Sequence, residues 1–156
     1  MNTRRISIPV KSAGLILLLG CCLVWSCSSS NTEGLGAYPK AVGAADEASA
    51  LQNLRTIANA QTQAKAMRNS YADFDTLVQL GFLDRRFAGT NPNLRGYRFT
   101  IVANENEYSV TADPQPTETV PTTGGRHFYL DSSDNVIHVN KTGPATRQDP
   151  PLGVAE

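Results

Sequence analysis

The stretch DEASALQNLRTIANAQTQAKAMRNSY, residues 46–71, contains no Gly or Pro and is built mainly of Ala, Leu, Gln and Asn. A run of that length without a breaker predicts one long helix. Its apolar positions Ala50, Leu54, Ile57, Ala60, Ala64, Met67 and Tyr71 recur at spacings of three and four, which places them on a single stripe. Asn53, Thr56, Asn59 and Gln63 take the opposite side, so the helix is expected to bury one face against a sheet. Asp46 and Glu47 stand where the positive end of a helix favours carboxylates. Ala60 and Ala64 let the backbone come close to whatever the stripe covers.

After this helix, Asp73 precedes Phe74, Leu77, Val78 and Leu80, and Gly81 follows. Cap, apolar face and left-handed stop together predict a two-turn helix. Residues 84–96, with Gly89, Asn91-Pro92-Asn93 and Gly96, predict a surface loop. The period then changes from 3.6 to 2. Tyr97, Phe99, Ile101 and Ala103 alternate with Arg98, Thr100 and Val102, and after Asn104-Glu105-Asn106 the alternation resumes with Tyr108, Val110 and Ala112, which predicts a β-hairpin. A Pro- and Thr-rich loop, 113–125, leads to a second hairpin, with Phe128 and Leu130 on one arm and Ile137 and Val139 on the other. Pairing Leu130 with Ile137 and Phe128 with Val139 keeps all four on one face, and a slip of one residue would expose half of them. Pro144, Pro150 and Pro151 keep the tail out of a sheet centre. The fold class is therefore α+β: one long helix on a small antiparallel sheet of about four strands.

Upstream of the helix the chain has a different character. Arg4, Arg5 and Lys11 precede an apolar run from Ala13 to Trp25, then Ser26-Cys27 and the small polar residues Ser28, Ser29, Ser30 and Asn31. This is the layout of a secretory leader. From Ala13 to Ser26 a helix reaches roughly 21 Å, short of the roughly 30 Å hydrocarbon core. An apolar run that ends in a small residue and a cysteine and is followed by a Ser-rich tether resembles the lipobox of bacterial lipoproteins. That resemblance implies residues 1–26 as signal peptide, Cys27 as the lipidated first residue of the mature chain, and 27–43 as a flexible tether. The alternative cysteine is Cys21, after Leu18-Leu19-Gly20. Cutting there would leave Cys22, Leu23, Val24 and Trp25 at the head of a supposed tether, which favours Cys27. An ordinary secretion signal or an uncleaved anchor helix is the plainer alternative. With Cys27 acylated, the domain keeps no cysteine for disulfides, nucleophilic catalysis or metal binding.

The charges bound the partners. The chain carries 14 Lys and Arg against 14 Asp and Glu, and the three leader cations leave the remainder weakly acidic. A face that holds nucleic acid by charge needs clustered cations, and only Arg85-Arg86 are adjacent beyond the leader, so nucleic acid is not an expected partner.

The layout and three blocks of sequence carry a second resemblance. Glu47-Ala48-Ser49-Ala50-Leu51-Gln52-Asn53-Leu54-Arg55-Thr56-Ile57 looks like the part of the pilin helix where the membrane half gives way to the head. Gly96-Tyr97-Arg98-Phe99-Thr100 with Tyr108-Ser109-Val110-Thr111-Ala112-Asp113-Pro114, and then Arg126-His127-Phe128-Tyr129-Leu130-Asp131, look like the strand run of small prepilin-like proteins. In this order they are similar to the globular head of type IV pilins and type II secretion pseudopilins, over residues 44–151, with 152–156 left as tail. The resemblance implies a pilin-like fold, a cell-envelope location outside the cytoplasm, and protein contacts with pilin or secretion-system subunits. One departure bears on function: the apolar run 13–26 lacks the prepilin cut site and the glutamate near the helix start. Incorporation into a filament is therefore not implied.

Candidate chemistry is sparse. Asp131, Asp134 and Asn135 cluster in one turn and present oxygens that suit calcium, which some pseudopilin heads bind; Asp and Asn also serve turns through their own backbone bonds. His127 and His138 fall on the outward face, too few and too far apart for a closed zinc site. Asp73 and Asp75 are explained by capping. No Gly-x-Ser-x-Gly elbow or phosphate-cradling loop is present. The expectation is a membrane-anchored protein that is not an enzyme and has no required cofactor. The alternative is a ligand- or ion-binding lipoprotein that uses loops 84–96 and 113–125.

Overall fold

The computed structural model describes residues 37–115 and 125–154, with side chains from Gly43 onward. Helix α1 spans Ala37–Arg68. It thus starts nine residues before Asp46, inside the stretch expected to be tether. Pro39 falls in its first turn, where the backbone N–H has no intrahelical partner to lose, and Gly43 costs only about 1 kcal/mol. The helix also stops short of Tyr71: Asn69 turns left-handed at φ 56°, and the Lys65 ammonium donates to the carbonyls of Asn69 and Glu105 at 3.1 and 2.8 Å.

Ala50, Leu54, Ile57, Ala60 and Ala64 are buried as the stripe requires. Met67 is not: it is 66% exposed. Tyr71, reached through the left-handed turn, supplies apolar surface there instead, its ring 4.9 Å from that of Tyr108. Asn53, expected on the solvent side, is buried and accepts a hydrogen bond from Arg86 Nη2 at 3.3 Å.

Helix α2, Phe74–Gln79, begins at Asp73, whose carboxylate accepts from Thr76 N–H at 2.8 Å. Gly81 stops it at φ 76°. The next segment is less open than a loop. Asp84 caps a 3-10 turn at Arg85–Phe87, and Phe87 is fully buried with its ring stacked 6.3 Å from Phe74.

Five strands follow: β1 Asn93–Leu94, β2 Tyr97–Ala103, β3 Tyr108–Pro114, β4 His127–Asp131 and β5 His138–Asn140. They form one antiparallel meander in chain order. The count exceeds the expected four because β1, inside residues 84–96, pairs with the start of β2. In the second hairpin Phe128 faces Val139 and Tyr129 faces His138, the register that burial of alternate residues dictates. Phe99, Val110, Ala112, Phe128 and Leu130 form the buried sheet face, in one cluster with the α1 stripe. The class is α+β, a long helix against an antiparallel sheet.

The tail lies along the edge of the sheet, tied to β5 and to Ile137 before it. Val139 N–H donates to Pro150 C=O at 3.0 Å and Leu152 N–H to Ile137 C=O at 2.7 Å. Prolines suit this edge position because each tail residue that donates keeps an N–H and the neighbouring prolines only accept.

Candidate functional site

Cys27 and Cys21 lie outside the described residues, as do positions 116–124 of the loop 113–125. No helix among the described residues is long and apolar enough to cross a membrane.

The three calcium candidates are placed in one turn but serve different partners. Asp131 accepts from Ser133 N–H at 2.9 Å, from the Ser133 hydroxyl, and from Tyr129 Oη at 3.1 Å. Burial pushes its carboxyl up, but those bonds together with Arg147, 3.8 Å away, outweigh it and hold the carboxyl below the usual carboxylate range. Asp134 accepts from Val136 N–H at 2.9 Å. Asn135 takes a left-handed backbone, φ 54°, and its side-chain oxygen accepts the Tyr108 hydroxyl at 2.8 Å. The oxygens thus close the turn and fix it to β3. Among the described residues no three His, Cys, Asp or Glu side chains are grouped as a metal ion would need.

The histidines differ from the expectation of two solvent-facing residues. His127 Nδ1 lies 2.6 Å from Asp113 Oδ1 on the outer sheet face. His138 is only 8% exposed, because the tail folds over it. Its Nδ1 meets the Asp149 carbonyl at 2.7 Å, and its Nε2 lies 3.4 Å from Asp134 Oδ2. Asp149 in turn accepts from Thr146 N–H and hydroxyl and from the Asn140 amide. The Thr146 bonds hold its carboxyl below the usual range. This clasp was not legible from residue types.

Two further arrangements carried no local signal. Glu47, in the third turn of α1 rather than at its start, binds Arg126 through one oxygen to Nε and Nη2 at 3.0 and 2.8 Å and through the other to the backbone N–H at 3.1 Å. Tyr97 Oη donates to the Arg126 carbonyl at 3.1 Å. The chain entering β4 is thereby fastened to the helix. Gln61, fully buried, donates to Ala72 C=O at 2.6 Å and accepts from Ala72 N–H at 3.0 Å. It acts as a side-chain stand-in for a strand neighbour, and satisfies both of Ala72's backbone groups.

Two concavities lie among the described residues. One, about 370 Å³, opens on the outer sheet face between the β2–β3 turn and the tail, with Glu107, Tyr129, Asp131 and Arg147 on its walls. Burial raises the Tyr129 hydroxyl's pKa, and its bond to Asp131 adds to this, so the hydroxyl stays a neutral donor. The other, about 440 Å³, runs between α1 and the β4–β5 turn past Arg55, Asn59, Val136, Ile137 and Leu152. Arg85 and Arg86 stay exposed; Arg86 is paired with Asp84 at 3.0 Å. Asp73 and Asp75 serve the fold, one as cap and the other by accepting Gly89 N–H at 2.8 Å.

No protein-family model, no curated protein and no solved structure matches this chain.

Proposed function

We propose that this chain is a lipid-anchored protein of the bacterial cell envelope, held at the membrane through Cys27, whose pilin-like α+β head makes protein contacts without catalysing a reaction. Its place is that of an accessory to a type IV pilus or a type II secretion pseudopilus. The observation that carries the reading is the arrangement of α1: a 32-residue helix laid by a small-residue stripe across an antiparallel meander. The connecting segment between helix and sheet is irregular, and so is the tail that finishes the last strand. That order is the one the pilin resemblance implies.

The alternative use of loop 84–96 as a ligand site gains no support from its geometry, because Phe87 and Pro92 are buried within it.

Two measurements test the proposal together. Mass spectrometry of the mature N-terminus is expected to find an acylated Cys27. Pull-down of the tagged full chain from solubilised envelopes is expected to bring pilin or secretion subunits with it. An unmodified N-terminus released into the medium would overturn the anchor, and recovery without any such subunit would overturn the accessory role.

A further inference from the structure

The cleft on the outer sheet face has a floor and two walls, each fixed by the fold. Its floor is a row of side chains across three paired strands, Val102, Ser109 and Asp131, with the Tyr129 hydroxyl bonded to Asp131 beside it. One wall is a closed turn of the tail. Asp149 N–H donates to Thr146 C=O at 3.2 Å, and Asp149 Oδ2 accepts the Thr146 N–H and hydroxyl at 2.6 and 2.9 Å. His138 Nδ1 and the Asn140 amide then hold Asp149 to β5 at 2.7 and 2.9 Å. So fastened, the turn sets its two middle residues, Arg147 and Gln148, over the floor.

Neither of these side chains is used by the fold. Arg147 Nε stands 3.8 Å from Asp131, and among the described residues no hydrogen bond engages its guanidinium or the Gln148 amide. On the facing wall Glu107 has only the Asn104 amide, at 3.4 Å. Three planar polar groups thus converge without partners on one cleft. Beside them lie a carboxyl held below its ordinary range and a phenol pushed above its own. Convergent polar groups and displaced titrations in one concavity mark a binding site.

We infer that this cleft binds a neutral saccharide of one or two rings. Charge selects against the other small polar ligands: an anion that reaches Arg147 meets Asp131 and Glu107, and a cation that reaches those carboxylates meets Arg147. A sugar hydroxyl both donates and accepts, so one ring accepts from Arg147 and Gln148 while it donates to Glu107, and the Ser109 and Ser133 hydroxyls rotate to suit it. The carbon face of the ring needs an apolar wall, which Val102 supplies at 67% exposure. The volume, about 370 Å³, lies near the lower end of the roughly 300–1,000 Å³ of small-molecule sites. It admits a disaccharide and no folded partner. The site needs neither the lipid anchor nor a pilus contact.

Saturation-transfer NMR on the full chain, in a detergent without a sugar headgroup, tests this with cellobiose, maltose and N,N′-diacetylchitobiose at about 10 mM each. Saturation is expected to pass to the ring protons of at least one of them. Gln148→Ala and Arg147→Lys alter exposed side chains, and each is expected to weaken that binding about tenfold while the circular dichroism melt stays unchanged. Val136→Ala, in the other concavity, is expected to leave the binding as it was. No transfer to any of the three sugars, binding that either cleft substitution leaves intact, or displacement of the bound sugar by an equal concentration of inorganic phosphate would each overturn the inference.

Discussion

Replacing Gln61 by Leu keeps the side chain's volume near constant and removes both of its hydrogen bonds. In the native chain the Gln61 amide donates to Ala72 C=O and accepts from Ala72 N–H, and both residues are buried, at 0% and 6% exposure. The substitution strands two backbone groups away from water, each at a cost of about 1–3 kcal/mol. Burying an isobutyl group in place of an amide returns about 1–2 kcal/mol. Taken at the middle of these ranges, about 4 kcal/mol lost against about 1.5 returned, the net loss is about 2.5 kcal/mol, to be read as a lower urea midpoint at unchanged slope. Gln61→Glu provides the control with a sign. A carboxylate there still accepts from Ala72 N–H, but it loses the donor and is buried charged. Its pKa must rise above the unfolded value, so the variant should be weak at pH 7 and regain stability as pH falls through that raised pKa, when the carboxyl again carries a donor. A Leu variant within 0.5 kcal/mol of the native chain, or a Glu variant whose deficit does not shrink on acidification, would refute the assignment of Gln61 as Ala72's backbone partner.

Three further outcomes follow from the same structure. Ile57→Ala, at a fully buried position, should cost about 2–5 kcal/mol, whereas Met67→Ala should change stability by less than about 0.5 kcal/mol; equal losses in urea titrations would contradict the boundary of the stripe. Asp131 and Asp73 have carboxyls held below their ordinary range, so they contribute stability above the unfolded carboxylate pKa near 4, and it is lost as pH falls through the lower folded values. Asp131→Asn should flatten the acid limb of a pH–stability profile, and an unchanged limb would count against the Ser133, Tyr129 and Arg147 contacts as the cause. A chelator should leave the thermal midpoint where it was, because the oxygens of Asp131 and Asn135 already accept hydrogen bonds; a fall in the midpoint would restore calcium to this turn.

The two hairpins were legible because their information is local. Alternating Phe99, Ile101 and Tyr108, Val110 leave one register that buries one face, and the Asn104–Glu107 turn fixes the same register from the other end. The second hairpin followed by the same reasoning across a longer turn. The start of α1 was not legible, because Pro39 and Gly43 signal a linker when read alone. Pro39 is harmless only where the helix already begins, and no local pattern says where that is. The Glu47–Arg126 pair is set by tertiary contact across 79 positions, beyond what residue spacing can suggest.

The buried polar residues show where reading by hydropathy loses information. Asn53, Gln61 and His138 are all under 10% exposed, and each is polar, so an apolar count assigns them to the outside. Spacing taken without polarity places two of them inside, including Asn53, which its polarity had set on the opposite side. Asn53 lies three residues after Ala50 and four before Ile57, and Gln61 lies four after Ile57 and three before Ala64, so both sit within the stripe that those residues define. A polar residue at such a position has to find partners, since burial without them costs more than the side chain can return. Gln61 finds Ala72 and Asn53 finds Arg86, which are the contacts that fasten the helix to the segments after it. His138 differs: on β5 it stands opposite Tyr129, on the outward face, and alternation correctly places it there. Its burial comes from the tail, through the Asp149 carbonyl and the bridge to Pro151. The outer face of this sheet is therefore solvent-facing only as far as the tail leaves it so, and the part left open runs toward Val102.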